Sequence, residues 1–229
     1  MTVESPPPAV QRPLGQPSAG APGSAGAPAS PGAPASPAGP VNQPGPGAKQ
    51  RVLVTADRLF YDEGIRTVGV DRLIAESAVT KATFYKHFGA KDNLVLDYIT
   101  RRSDRSHEIV ARISDEAGTA AGTLRGIVQA ILADIQSPGF RGCAFINAAS
   151  EFADPAHLVR VVVVQFRDWY TETLVDLFRE AGHPMSGDAA DEFLLARDGA
   201  MVGGYAGDAI AATAALARVT DRLFADCRG

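Results

Sequence analysis

Thr80, Lys81, Ala82, Thr83, Tyr85, Lys86 and His87 fall within eight positions, interrupted by Phe84 and followed by Phe88. On a helix the two phenylalanines, four apart, share one face and turn the other residues away from it. The outward set suits a nucleic-acid duplex. The Thr80 hydroxyl and the free N–H groups of a helix start can hold a phosphate, and Lys81 and Lys86 bring charge. Tyr85 can bond a phosphate while packing on sugar, and Ala82 and Thr83 are small enough to approach base edges or a thymine methyl. Singly each of these is an ordinary surface residue, and His87 an ordinary helix-end histidine; their order on one short helix is what points to DNA.

The surrounding periodicity supplies the elements that would position them. Leu53, Ala56, Leu59 and Phe60 fall on one face of a helix over 48–63, and Gly64 stops it before apolar Ile65. A short second helix follows Gly69, with Val70, Leu73 and Ile74 on one side. Thr80 is a good N-cap for a third helix ending at Phe88 and Gly89. Two short helices joined by Ser77, Ala78 and Val79 have the dimensions of a helix-turn-helix. Lys91 opens a long polar helix with Leu94, Tyr98 and Ile99, reaching about Ile113. Further helices are expected at about 119–136, 141–152, 155–181, 188–211 and 213–226, with Asp154 and Pro155 as cap and first turn of the third of these. Val159–Val164 reads as strand in isolation, but Leu158, Val162, Phe166, Trp169, Leu174 and Leu177 keep helical spacing. The expected fold class is all-α.

Composition divides the chain. Residues 1–47 hold 13 of the 16 prolines and 8 of the 23 glycines but only two charged groups, Glu4 and Arg12. Such a segment cannot bury a core and is expected to be a disordered tail. Residues 48–102 carry ten Lys/Arg against seven Asp/Glu, and residues 103–229 eleven against eighteen. A basic helix-turn-helix domain at 48–102 followed by an acidic helical domain at 103–229 suggests two jobs in one chain. Cys143 and Cys227 are too few for a disulfide framework and lack zinc-site spacing, so a reduced, cytoplasmic protein is expected. No apolar run approaches the length of a membrane span, and no signal peptide is expected.

The stretch Ala48–Tyr98, through Ala56, Leu59, Phe60 and Gly64 and then VGVDRLIAESAVTKATFYKHFGAKDNLVLDYI, resembles the DNA-binding domain of the TetR family of bacterial transcriptional regulators. The resemblance implies that helix three enters the major groove and that Tyr85 and Lys91 contact phosphates. It also implies a C-terminal helical domain with an effector pocket and a homodimer face on its last two long helices; RGCAFINAASEF looks like a segment of one branch of these regulators. Two positions depart from the family pattern. Gly69 replaces a usual Ser or Thr, losing a hydroxyl, and Ala78 replaces a turn glycine, so its backbone must adopt a conformation that glycine takes more readily.

For an effector, the aromatic and polar residues within apolar helices are the candidates: Cys143, Phe145, Asn147, Phe152, Phe166, Trp169, Tyr170, Met201 and Tyr205. They suit a mostly apolar small molecule, with Asn147 as the buried amide in need of partners. Any of them is equally at home in an ordinary core. Cys143, with only Arg141 in its flanks to lower its pKa, reads as a structural cysteine. Glu151, Asp154 and His157 have metal-like spacing, but Pro155 interrupts the helix between them, so no metal is expected. Small residues from Gly199 to Ala212 would let a helix approach another closely, within the subunit or across a dimer. No glycine-rich phosphate loop or catalytic constellation supports an enzyme, and no cofactor is expected. The expectation is a repressor released from a palindromic operator in double-stranded DNA by a small effector, with no membrane partner; an activator or an effector-independent DNA-binding protein fits the same residues.

Overall fold

A computed structural model describes residues 47–228, and the expected disordered tail, apart from Gly47, lies outside them. Among the described residues there are nine helices and no strand: α1 (Ala48–Glu63), α2 (Val70–Glu76), α3 (Lys81–Phe88), α4 (Lys91–Ala117), α5 (Ala120–Ile135), α6 (Ala144–Glu151), α7 (Leu158–Glu180), α8 (Ser186–Ala206) and α9 (Ala209–Ala225). The fold is all-α, as the periodicity implies. The expected domain boundary near residue 102 falls inside α4, one continuous helix.

An eight-residue helix such as α3 has no independent stability in water. It is held by burial: Phe84 and Phe88 are inside with Val52, Leu53, Ala56, Leu59 and Phe60 of α1, Leu73 of α2, and Leu94, Val95, Tyr98 and Ile99 of α4. Thr80 caps α3, its hydroxyl accepting from Thr83 N at 3.1 Å. The turn between α2 and α3 is fixed from α1, where Arg51 donates to the carbonyls of Ser77 at 3.2 Å and Ala78 at 3.3 Å. Ala78 has φ +50°, the only positive φ at a non-glycine position among the described residues.

A left-handed alanine costs about 1–2 kcal/mol, whereas a glycine gives back about 0.4–1 kcal/mol through the unfolded chain. Ala78→Gly is therefore expected to stabilise the protein by about 0.5–1 kcal/mol, read as a higher urea midpoint at unchanged slope. A lower midpoint would mean that the turn is not strained in solution.

The α4 helix runs on to Ala117 rather than about Ile113 and α6 starts at Ala144 rather than 141, and two further boundaries differ for reasons visible in their caps. Asp208 caps α9, its Oδ1 accepting from Ile210 N at 2.8 Å and Ala211 N at 3.1 Å, so α8 ends at Ala206 rather than running on to 211. Likewise α7 starts at Leu158, not Pro155: Asp154 Oδ1 accepts from Ala156 N within a turn, and His157 Nδ1 takes Val159 N as the helix cap. The small residues of α8 are used mainly inside the subunit. A Cβ on Gly203 would stand 3.3 Å from Ala212 of α9, and one on Gly204 only 2.5 Å from Ile135 of α5, whereas Gly199 faces open space. No helix among the described residues is long and apolar enough to cross a membrane.

Candidate nucleic-acid interface and small-molecule cavity

With Phe84 and Phe88 buried, α3 turns Lys81, Ala82, Tyr85, Lys86 and His87 to solvent, and Thr83 is half-buried. Tyr85 is 44% exposed and its ring meets Phe84 edge-on at 5.4 Å, so the core fixes its direction while the hydroxyl stays outside. The Thr80 and Thr83 hydroxyls lie 2.8 Å apart at the helix start. Lys81 makes only a loose, exposed ion pair with Asp71 at 3.9 Å, which leaves its charge available. By contrast, the arginines around α2 are engaged: Arg72 binds Glu63 and Glu76, and Arg58 binds Glu76. Lys81 and Lys86 of α3 are thus accessible cations on this face.

Lys91, at the first position of α4, is half-buried. Its Nζ donates to the Ile65 carbonyl at 2.6 Å and lies 5.8 Å over the Phe60 ring. Loss of water lowers its pKa below the ordinary lysine value, while Glu151 and Asp92 act in the other direction. An ammonium has three donors, so one bond to Ile65 leaves others for a phosphate.

The segment after α1 is joined to distant parts of the chain. Glu151, the last residue of α6, accepts from the backbone N–H groups of Ile65 at 2.8 Å and Arg66 at 2.7 Å. Gly64, at φ +92°, brings the chain close enough that a Cβ there would stand 3.4 Å from the Glu151 carboxylate. Tyr61, near the end of α1, donates to the Gly142 carbonyl and accepts from Arg141 N, both at 2.9 Å. Burial raises the Tyr61 pKa, partly offset by the Arg141 amide, so its hydroxyl keeps the proton that it donates. Arg102 of α4 grips Asp57 with two bonds, at 2.6 and 3.0 Å, and stacks over Tyr61 at 4.6 Å. Glu151, Asp154 and His157 accordingly serve as a turn clamp, a turn acceptor and a helix cap.

Between α4, α5, α7, α8 and the 137–145 segment lies a cavity of about 870 Å³, within the range of small-molecule sites. Cys143, Phe145, Phe166, Tyr170 and Met201 line it. The Phe145 and Phe166 rings stack at 3.6 Å, and burial pushes the Tyr170 hydroxyl pKa up to about 12. Asn147, Trp169 and Tyr205 do not line this cavity: Asn147 Nδ2 donates to the Arg141 carbonyl at 2.8 Å, Trp169 stacks on His107 at 3.6 Å, and Tyr205 is exposed beneath the Arg141 guanidinium. Phe152 also stands elsewhere, stacked on His157 at 4.3 Å.

The wall also contains ionisable groups that the aromatic pattern does not reveal, namely Tyr61, Asp62, Arg102, Arg105, Asp134 and Arg197. Desolvation raises the Asp134 pKa above the usual aspartate value, with Arg102, Arg197 and Arg105 pulling it down. The signal for Arg197 was present in the sequence. It occupies a core position of α8, in step with Ala190, Phe193, Leu194, Ala200 and Met201.

The family model described as bacterial regulatory proteins, tetR family, matches residues 52–98, which span most of α1 through the first part of α4. Among solved structures, the fold is similar to SCO4454, a TetR-family transcriptional regulator from Streptomyces coelicolor: 37% identity, TM-score 0.76, over 80% of this chain and 96% of that one. A TetR transcriptional regulator from Legionella pneumophila shares the fold at 17% identity and TM-score 0.70, over 79% of this chain and 99% of that one. Reduced NemR from E. coli does so at 17% identity and TM-score 0.66, over 76% and 96%. No curated protein matches. With its helix-turn-helix at α2–α3 and an identity of 37% running over nearly the whole of the Streptomyces regulator, the chain belongs to the TetR family of DNA-binding transcriptional regulators.

Proposed function

We propose that the protein is a homodimeric, ligand-responsive repressor that binds a near-palindromic operator and is released by a small effector. The observation that carries this reading is the attachment of the cavity wall to the DNA-binding helices: Tyr61 both lines the cavity and bonds the 141–142 backbone, and α6 ends in Glu151, which holds the turn between α1 and α2. In the proposed complex Thr80, Tyr85, Lys86 and Lys91 hold phosphates, while Lys81, Ala82, Thr83 and His87 face the base edges. Duplex DNA as partner places this work in the cytoplasm. The effector occupies the cavity against Cys143, Phe145, Phe166, Tyr170 and Met201. Asn147 takes part through Arg141 and Gly142, and Trp169 and Tyr205 from just outside the wall. To release DNA, the effector must bind better to the conformation in which the two α3 helices no longer match the grooves.

For the dimer, α8 and α9 leave an apolar face uncovered. Leu195 and Ile210 are 76% and 81% exposed, and Val202 and Gly199 lie on the same side. Large apolar side chains left exposed on these two helices are what a second copy would cover.

A compound found by thermal shift to raise the melting temperature should lower operator affinity in fluorescence anisotropy. Glu151→Gln removes the charged clamp on the α1–α2 turn. It should leave compound affinity within about twofold while reducing operator release by about 5- to 100-fold, the size of a typical coupling energy. A compound that fills the cavity and leaves DNA affinity unchanged would sink the effector reading.

A further inference from the structure

Arg197 is buried at 8% exposure, in a core position of α8 where an apolar residue would pack without desolvating a charge. A guanidinium has five donors, and those of Arg197 are poorly met. Nη1 binds Asp198 at 2.6 Å, both Nη atoms stand 3.4 Å from the Cys143 sulfur, a weak acceptor, and the buried Nε has no partner. Nor is the charge balanced, because Asp198 is shared with Arg167 Nη1 at 2.8 Å, and Asp134, the other carboxylate that acts on Arg197, also serves Arg102 and Arg105. Arg197 and Cys143 both belong to the cavity wall, and Tyr170 lies 5.7 Å from the guanidinium. The other wall cations differ. Arg102 is already held by Asp57 with two bonds, and Arg105 is exposed near Asp62 and Asp134.

We infer that the effector is an amphipathic carboxylic acid, its carboxylate received by Arg197 at the Cys143 corner and its apolar body lying along Phe145, Phe166 and Tyr170. This rests on the effector-responsive reading above and names the class of ligand. A carboxylate supplies the missing acceptor and the missing negative charge together, and its planar pair of oxygens matches the guanidinium fork. An apolar body alone leaves both defects in place.

The test uses two matched pairs on the full chain: biphenyl-4-carboxylate beside biphenyl-4-methanol, and dodecanoate beside dodecan-1-ol. Calorimetric affinity and operator release by anisotropy are measured for each. The acids are expected to bind about 10- to 100-fold more tightly than their alcohols, the size of a charge-assisted hydrogen bond, and to release the operator. Arg197→Met should abolish that preference, weakening the acids about 10- to 100-fold more than the alcohols. Asp198 keeps Arg167 in this variant, which favours folding. Should Arg197→Met fail to fold, Arg197→Lys, which keeps the charge but loses the fork, should weaken the acids by about tenfold relative to the alcohols.

Alcohols that bind as well as the acids and release the operator would overturn the acid class while the effector reading stands. An acid preference that survives Arg197→Met, or equal weakening of acids and alcohols by Arg197→Lys, would overturn the placement at Arg197. Neither series binding nor affecting the operator would overturn both.

Discussion

A dimer carrying Lys86→Ala and Lys91→Ala is expected to bind every duplex about a thousandfold more weakly than the parent at roughly 0.15 M salt. Each protomer loses two cations, so four phosphate contacts go. Each contact releases about 0.9 of a counterion, and the slope of log affinity against log salt should flatten by about 3.6. Lys86 is exposed on α3, and Lys91 keeps two donors beyond its bond to Ile65. Because phosphate contacts carry no sequence information, the loss should be the same on cognate and random DNA. Lys81→Ala or Thr83→Ala should instead change which duplex is preferred, since both residues face the base edges in the proposed complex. A salt slope left intact by the double substitution would show that these lysines do not touch phosphate.

The second large effect concerns packing and contrasts two phenylalanines of α7. Phe178 is fully buried, with its ring against Phe193, Phe224 and His183. Phe178→Ala should cost about 3–5 kcal/mol, a large share of the roughly 5–15 kcal/mol that stabilises a domain. Phe166 is also buried, but it stacks on Phe145 and borders the cavity. Although its ring also meets Trp169 and Tyr170, its cavity side has no packing to lose, so Phe166→Ala should cost about half as much. Urea unfolding of the two variants measures the difference. Equal costs would show that Phe166 is packed on all sides and that the cavity is closed in solution.

How much of this was legible in the sequence depended on the range of the interaction. The helix-turn-helix is specified within forty residues by local signals. Thr80 is a cap, Phe84 and Phe88 share a face, Gly64 stops α1, and the strain at Ala78 follows from finding alanine where the turn favours glycine. The cavity is made by segments far apart in the chain, and aromatic content does not distinguish a wall from a core. Phe145, Phe166 and Tyr170 line it, whereas Trp169 is occupied by His107. The bonds from Tyr61 to residues 141 and 142, and from Glu151 to residues 65 and 66, leave no periodic trace because each joins chain positions about 80 or more residues apart. Arg197 is the intermediate case. An arginine in step with Phe193 and Met201 was visible as an anomaly, but its meaning depends on Cys143, Asp198 and the cavity beside it.

The central claim is that two copies of α3 read DNA as a symmetric pair, and selection of bound duplexes from a random pool by the full-length protein tests it most directly. The expected result is a near-palindromic consensus whose half-sites lie about one helical turn, roughly 34–36 Å, or a multiple of it apart, with Lys81→Ala and Thr83→Ala altering the same positions in both halves. A pool that shows no enriched sequence, or a single asymmetric site indifferent to α3 substitutions, would contradict it.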